Sequence, residues 1–209
     1  MTGTHDARER LVAAAEDLLM RSGARAVTMD AAAAAAGAGK MSAYRHFDDR
    51  ADLVAAALER RRPRHLRWLL GAARAAAPGA GADFGAAAAA AMLAAFDRLE
   101  SAAAGDSFRG CPFVDAALAA PPGPPAPGSG RTRVAAIAWQ HKEDLIGELT
   151  ALARRAGLAE PGQLGAAVAL VIDGCAAQAA LAPDRAARKE IVRRGRRAAR
   201  VLIASAGRQ

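Results

Sequence analysis

Alanine runs through this chain in blocks that no β-strand would use. Ala31–Ala36 and Ala86–Ala91 are unbroken, and Val/Ile/Thr alternation is nearly absent. Alanine is the best helix former and a weak strand former, so the expected fold class is all-α with no sheet. Aromatic residues make up only 4% of the chain. A core this poor in bulky side chains has to form by close approach of helix backbones. The 209 residues suffice for one large or two modest domains with a real hydrophobic core.

Glycine and proline punctuate the helical pattern. Ala7–Arg21 is amphipathic and ends at Ser22-Gly23. Thr28 is placed to cap a short helix, Met29–Ala36, which Gly37 closes. After the turn Gly37-Ala38-Gly39 comes a second short helix, Lys40–Phe47. A long helix from Arg50 toward Ala77 is expected to kink or split at Pro63, which lacks a backbone donor. Helices are expected over Asp83–Ser101, Cys111–Ala120, Arg131–Ala156 and Gly162–Ala182, and a last one follows Asp184, about nine in all. Pro121–Gly130 is rich in Pro and Gly and is expected to be non-helical.

The formal charge is +8, unevenly spread. Residues 1–50 balance, 51–76 carry +4, 77–183 carry −3 and 184–209 carry +7. Basicity fits a nucleic-acid partner, but the most basic segment is the C-terminal one, so charge alone does not locate a binding surface. Arg60-Arg61-Arg62 either reaches DNA or forms a solvated face, and the solvated face is favoured. Two cysteines, Cys111 and Cys175, are too few for a disulfide framework and fit a reducing cytoplasm. They are expected to be inert rather than a redox pair. The polar start has no apolar signal region, and the longest apolar run, Phe84–Phe96, is too short to span a bilayer, so no membrane partner is expected. No Gly-rich phosphate loop, metal-ligand spacing or nucleophile elbow is present, and neither enzyme activity nor a metal or cofactor is expected.

The segment Thr28–Leu53 carries the functional signal. Two short helices joined by a tight glycine-containing turn are the helix-turn-helix arrangement, whose second helix enters the major groove. Gly37 permits a positive φ, Ala33 and Ala36 allow close helix packing, and Ala43 with Phe47 anchors the second helix. Lys40, Met41, Ser42 and Arg45 are then free to face outward.

Thr28, Ala36-Gly37, Lys40, Ser42, Tyr44, His46-Phe47, Arg50 and Leu53 resemble, at matching spacing over residues 7–56, the N-terminal pattern of the TetR/AcrR family of bacterial regulators. Shorter cues, Arg109–Ala117, His141-Lys142 and Ala153–Leu158, resemble one subgroup. Departures make the head smaller: Ala32 stands for Ile, Ala43 for Leu and Gly39 for a polar cap, while Arg50 stands for Lys. Each lost buried methylene costs about 0.8 kcal/mol.

The resemblance implies a DNA-binding domain at 1–50 and a helical ligand-binding and dimerisation domain at 51–209. It assigns phosphate contacts to Thr28, Tyr44, His46 and Arg50, and base contacts to Lys40, Met41, Ser42 and Arg45. Thr28 is equally a plain helix cap, and His46 a surface histidine. It further implies a dimer through the last two helices, with Val168, Ile172, Cys175, Ile191 and Leu202 at the interface. Gly165, Ala169, Ala176, Ala179 and Ala180 would allow close approach there. The bulky residues Trp68, Met92, Phe96, Phe108, Phe113, Trp139 and His141 are candidates to line a small-molecule pocket, though each is singly more expected as core packing. The implied function is a ligand-responsive repressor that binds a palindromic operator on double-stranded DNA. The alternative is a helical ligand-binding or interaction protein whose reading head has decayed.

Overall fold

The computed structural model describes residues 2–75, 84–119 and 126–207. Among them are nine α-helices and no β-strand: α1 Thr2–Ser22, α2 Met29–Ala35, α3 Lys40–His46, α4 Arg50–Ala75, α5 Phe84–Ala103, α6 Pro112–Leu118, α7 Gly130–Arg155, α8 Pro161–Leu181 and α9 Arg185–Ser205. The all-α expectation therefore holds. Of the Pro/Gly-rich stretch, residues 121–125 lie outside the described residues, and Gly130 already opens α7.

α4 passes through Pro63 as one helix, so of the expected kink or split the split does not occur. Its neighbours explain the tolerance. Leu53, Val54 and Leu58 before the proline are buried, as are Leu69 and Leu70 after it, so packing on both sides offsets the one lost hydrogen bond.

The chain divides into two compact units, and neither ends at residue 50. The first is 1–64 with 111–141, and the second is 65–110 with 142–209. The divisions fall inside α4 and α7 because a helix continues its hydrogen-bond ladder regardless of which core its side chains enter.

The first unit is built on Leu11, Ala15 and Leu19 of α1, Met29, Ala32 and Ala33 of α2, Ala43 and Phe47, and Leu53–Leu58 region residues of α4. Phe113 and Ala116 of α6 and Val134, Ile137 and Ala138 of α7 complete the same cluster. Gly130 lies so close to the first turn of α4 that a Cβ there would overlap Asp52 N and sit 2.7 Å from Ala51 C. Arg133, one turn on, pairs with Asp52 and, at 3.1 Å, with Glu59.

In the second unit, Met92, Ala95 and Phe96 of α5 pack in one cluster with Leu145 and Leu149 of α7, Val168 and Ile172 of α8, and Val192, Ala199 and Ile203 of α9. The helices approach closely where glycine allows. A Cβ on Gly165 would stand 2.7 Å from Thr150 N, and one on Gly195 would overlap Cys175 Sγ. The basic charge of α9 is largely answered within this unit. Arg196 pairs with Asp97 at 2.8 Å, Arg193 with Glu100 at 2.9 Å and Arg185 with Asp106 at 3.0 Å.

This packing takes up part of the expected dimer register within the unit itself. Val168, Ile172 and Cys175 are buried in the unit's own core, and Gly165, Ala169, Ala176 and Ala179 are buried with them; Ile191 and Leu202 are only partly buried. α8 is apolar almost all round, so spacing could not separate its inner stripe from its outer one. The outer stripe holds Leu170 (73% exposed) and Leu181 (86%) of α8, with Val201 (66%) on α9. α8 is also long and apolar enough to cross a bilayer, which the expected run at Phe84–Phe96 is not; its buried side packs in this core.

Candidate nucleic-acid interface

Thr28 adopts extended backbone geometry and its Oγ1 accepts the Ala31 N–H at 3.0 Å, which starts α2. The helix ends in a paired cap: Ala38 N–H donates to Ala33 O at 2.9 Å and Gly37 N–H to Ala34 O at 3.2 Å. Gly37 supplies the left-handed φ of 61° that this cap requires. Gly39 then caps α3 without any side-chain bond.

α3 has a clear inner side. Ala43 and Phe47 are buried, and the Phe47 ring lies 5.3 Å from the Arg8 guanidinium, within cation–π range. Lys40, Met41, Tyr44 and Arg45 are exposed, while Ser42 and His46 are half-buried. His46 also meets Phe47 edge-on, ring centroids 6.5 Å apart.

Three contacts are absent from the sequence reading. Asp30, on the first turn of α2, accepts from Lys40 Nζ at 2.9 Å across the turn. This hydrogen bond, and the charge behind it, raise the Lys40 ammonium above its ordinary value. Asp115 of α6 accepts the Ala24 N–H at 2.6 Å. Arg50 donates through Nε to Val27 O at 2.6 Å and through Nη2 to Ala24 O. The short 3-10 turn Ala24–Ala26 is thus held by its N–H from α6 and by its carbonyls from α4. Ten and 91 residues separate the partners in the first two cases, beyond the reach of local patterning. Arg50, expected to clamp phosphate, spends part of its guanidinium on the protein itself.

Residues 11–57 match the family described as "Bacterial regulatory proteins, tetR family". A TetR transcriptional regulator from Streptomyces avermitilis shares the fold at 27% identity, with 97% of this chain and 99% of that one covered and a TM-score of 0.71. Residues 11–57 are thus a TetR-type head, on a chain that has the fold of TetR-family regulators throughout. A TetR-family regulator from Streptomyces coelicolor (23% identity, 96% and 90% covered, TM-score 0.72) and one from Chloroflexus aurantiacus (21%, 100% and 99%, 0.67) have the same fold. No curated protein sequence matches the chain. The matched head and the shared fold support a DNA-binding transcriptional regulator with a helix-turn-helix head.

The other expected residues divide between the two units. In the first, Phe113 and His141 are fully buried and stacked, centroids 3.8 Å apart, whereas Trp139 is 68% exposed. In the second, Met92 and Phe96 are fully buried, and Trp68 and Phe108 are partly buried against the core. Cys111 and Cys175 are free thiols.

Proposed function

We propose that the chain is a ligand-responsive repressor that binds a palindromic operator as a homodimer and releases it when a small hydrophobic effector binds. The observation that carries the reading is the outer face of α3, where Lys40, Met41, Tyr44 and Arg45 are exposed on a helix anchored by Ala43 and Phe47. Lys40 and Arg45 suit guanine O6 and N7, Met41 suits a thymine methyl and Ser42 serves several bases. Thr28, Tyr44, His46 and Arg50 suit phosphates. The Thr28 oxygen is used by Ala31 N–H, but its hydroxyl proton remains to donate; two of the five Arg50 donors are used.

One such head makes too few contacts for specific binding, so the reading requires two, with half-sites roughly 34–36 Å apart or a multiple of that. The exposed stripe of Leu170 and Leu181 on α8 with Val201 on α9, and the half-buried Ile191 and Leu202 near it in sequence, supports pairing of two copies there. Of the aromatic candidates, Trp68, Phe108 and Trp139 keep surface that a ligand could cover, and Met92, Phe96, Phe113 and His141 would have to open. An effector acts on DNA binding only by preferring one conformation of the protein over another. A DNA partner, and two cysteines without a disulfide, support a cytoplasmic protein.

The test is selection of DNA fragments by the purified protein, followed by binding across a salt series. An inverted repeat is expected, with affinity falling steeply as salt rises. Lys40→Ala should relax preference at particular bases at a cost of about 1–3 kcal/mol, and Tyr44→Ala should weaken binding to all sequences. Binding without salt dependence, or an unselective pool, would overturn the reading.

A further inference from the structure

A cleft of about 630 Å³ opens in the first unit between α1, the end of α2 and the middle of α4. Arg10, Glu16, Asp17, Arg60, Arg61 and Arg64 line it, over a floor made mostly of alanine. Arg60, Arg61 and Arg64 lie on α4, the first two within the run Arg60-Arg61-Arg62 that charge patterning reads as a solvated face. They converge on Glu16, whose side chain is only 10% exposed. Arg64 Nη2 pairs with Glu16 Oε2, Arg60 Nε lies 3.2 Å from the same oxygen, and Arg61 Nη1 lies 3.7 Å from Oε1.

One carboxylate does not satisfy this cluster. Glu9 takes a further donor of Arg60 at 3.0 Å, Asp6 answers Arg10, and Asp17 answers Arg21. Among the described pairs, five guanidiniums, Arg10, Arg21, Arg60, Arg61 and Arg64, therefore meet four carboxylates, Asp6, Glu9, Glu16 and Asp17. The surplus falls at Arg61 and Arg64, which share Glu16. Arg61 Nε is buried with no hydrogen-bond partner although its side chain is 21% exposed overall. Burial, and then the like charge of Arg64, push the Arg61 guanidinium below its usual value against the opposing pull of Glu16. A network that only stapled α1 to α4 would gain nothing from an unmet buried donor and a surplus cation, both of which cost free energy. Guanidinium forks match carboxylate and phosphate oxygens in geometry, and the cleft falls within the usual size of small-ligand sites.

We propose that this cleft is an anion site in the reading head, which takes a small phosphate- or carboxylate-bearing molecule on Arg61 and Arg64 in competition with Glu16. The site is separate from the DNA-reading face of α3 and from the hydrophobic effector, and does not depend on either reading.

The test uses the full chain titrated by calorimetry with sodium phosphate and, separately, sodium succinate, at constant ionic strength held with sodium chloride. Saturable binding of one anion per chain is expected with at least one of the two, and which one binds names the source chemistry. Arg61→Gln should weaken it by about tenfold or more, since a hydrogen bond to a charged group contributes about 1.5–3 kcal/mol. Glu16→Gln removes the competitor and should tighten binding, whereas a purely structural role would give lower stability and no gain in affinity. Should a variant fail to fold, the arginine side-chain NMR signals of the wild type decide: the Nε–H of Arg61 and Arg64 should shift with the anion. No saturable binding of either anion, or binding that leaves those signals unmoved, overturns the proposal. So does an Arg61→Gln chain whose salt dependence for DNA drops by about one phosphate contact, because the cleft would then serve the DNA backbone.

Discussion

Replacing Gly195 with alanine should destabilise the second unit, although alanine is the better helix former. Gly195 lies inside α9, where Gly→Ala would ordinarily stabilise by roughly 0.5–1 kcal/mol. The new Cβ would overlap Cys175 Sγ and stand 3.4 Å from Phe96 Cε1 and Val171 Cγ1, so the thiol has little room to rotate away. Overpacking of this kind costs about 1–3 kcal/mol, which after the helix gain leaves a net loss centred near 1 kcal/mol and at most about 2.5 kcal/mol. For a chain of this length the central value is about 2–4 °C in melting temperature. The same overlap predicts its own rescue. Cys175→Ala alone should also destabilise, by opening a small void. The double variant moves one heavy atom from α8 to α9 and keeps core volume, so it should recover most of the Gly195→Ala loss. Urea denaturation of the wild type, both single variants and the double variant measures the coupling directly. A Gly195→Ala chain as stable as the wild type, or a double variant whose losses simply add, would refute the packing reasoning.

Three further outcomes are expected. Asp115→Ala leaves the buried Ala24 N–H without its acceptor, so it should cost about 1–3 kcal/mol in stability and weaken DNA binding, while Asp115→Asn should retain most of both; melting curves and DNA titration of the two variants check this. Leu170→Glu with Val201→Glu should give monomers by light scattering that bind operator poorly yet keep the wild-type helical circular dichroism, and a wild type that is already monomeric would remove the basis for the dimer. Hydrogen bonds from Arg197 and then Arg194 hold the Glu190 carboxyl below its ordinary value, so its contribution to stability is present at neutral pH and lost as pH falls through the acid range. The gap in melting temperature between wild type and Glu190→Gln should therefore close between pH 7 and pH 3, and a gap that widens in acid would show the sign to be wrong.

The helix-turn-helix was legible because its signals are local. Thr28 bonds three residues ahead, Gly37 must be left-handed, and Ala43 and Phe47 are four residues apart on one helix face. The partners of that segment were not legible. Asp30 meets Lys40 only because the turn folds α2 back on α3, and Asp115 reaches Ala24 from another stretch of chain. The buried side of α8 was not legible for a different reason. A helix with alanine, glycine and leucine on every side gives no contrast between a buried and an exposed stripe, so Val168 and Leu170 looked alike until their neighbours were known.

The non-contiguous make-up of the first unit bears on how such a regulator could be re-engineered. Exchanging DNA specificity between regulators by grafting heads assumes that the head is a cassette cut at one point. Here the head's own compact unit takes in residues 111–141 as well as 1–64. A graft of residues 1–64 alone would leave behind Asp115, which holds Ala24, and Arg133, which answers Asp52 and Glu59. It would also meet whatever side chain the recipient carries where Gly130 abuts Asp52. A working chimaera needs three crossovers, after residues 64, 110 and 141, and compatibility at residue 130 is as much a part of swapping operators as the sequence of α3.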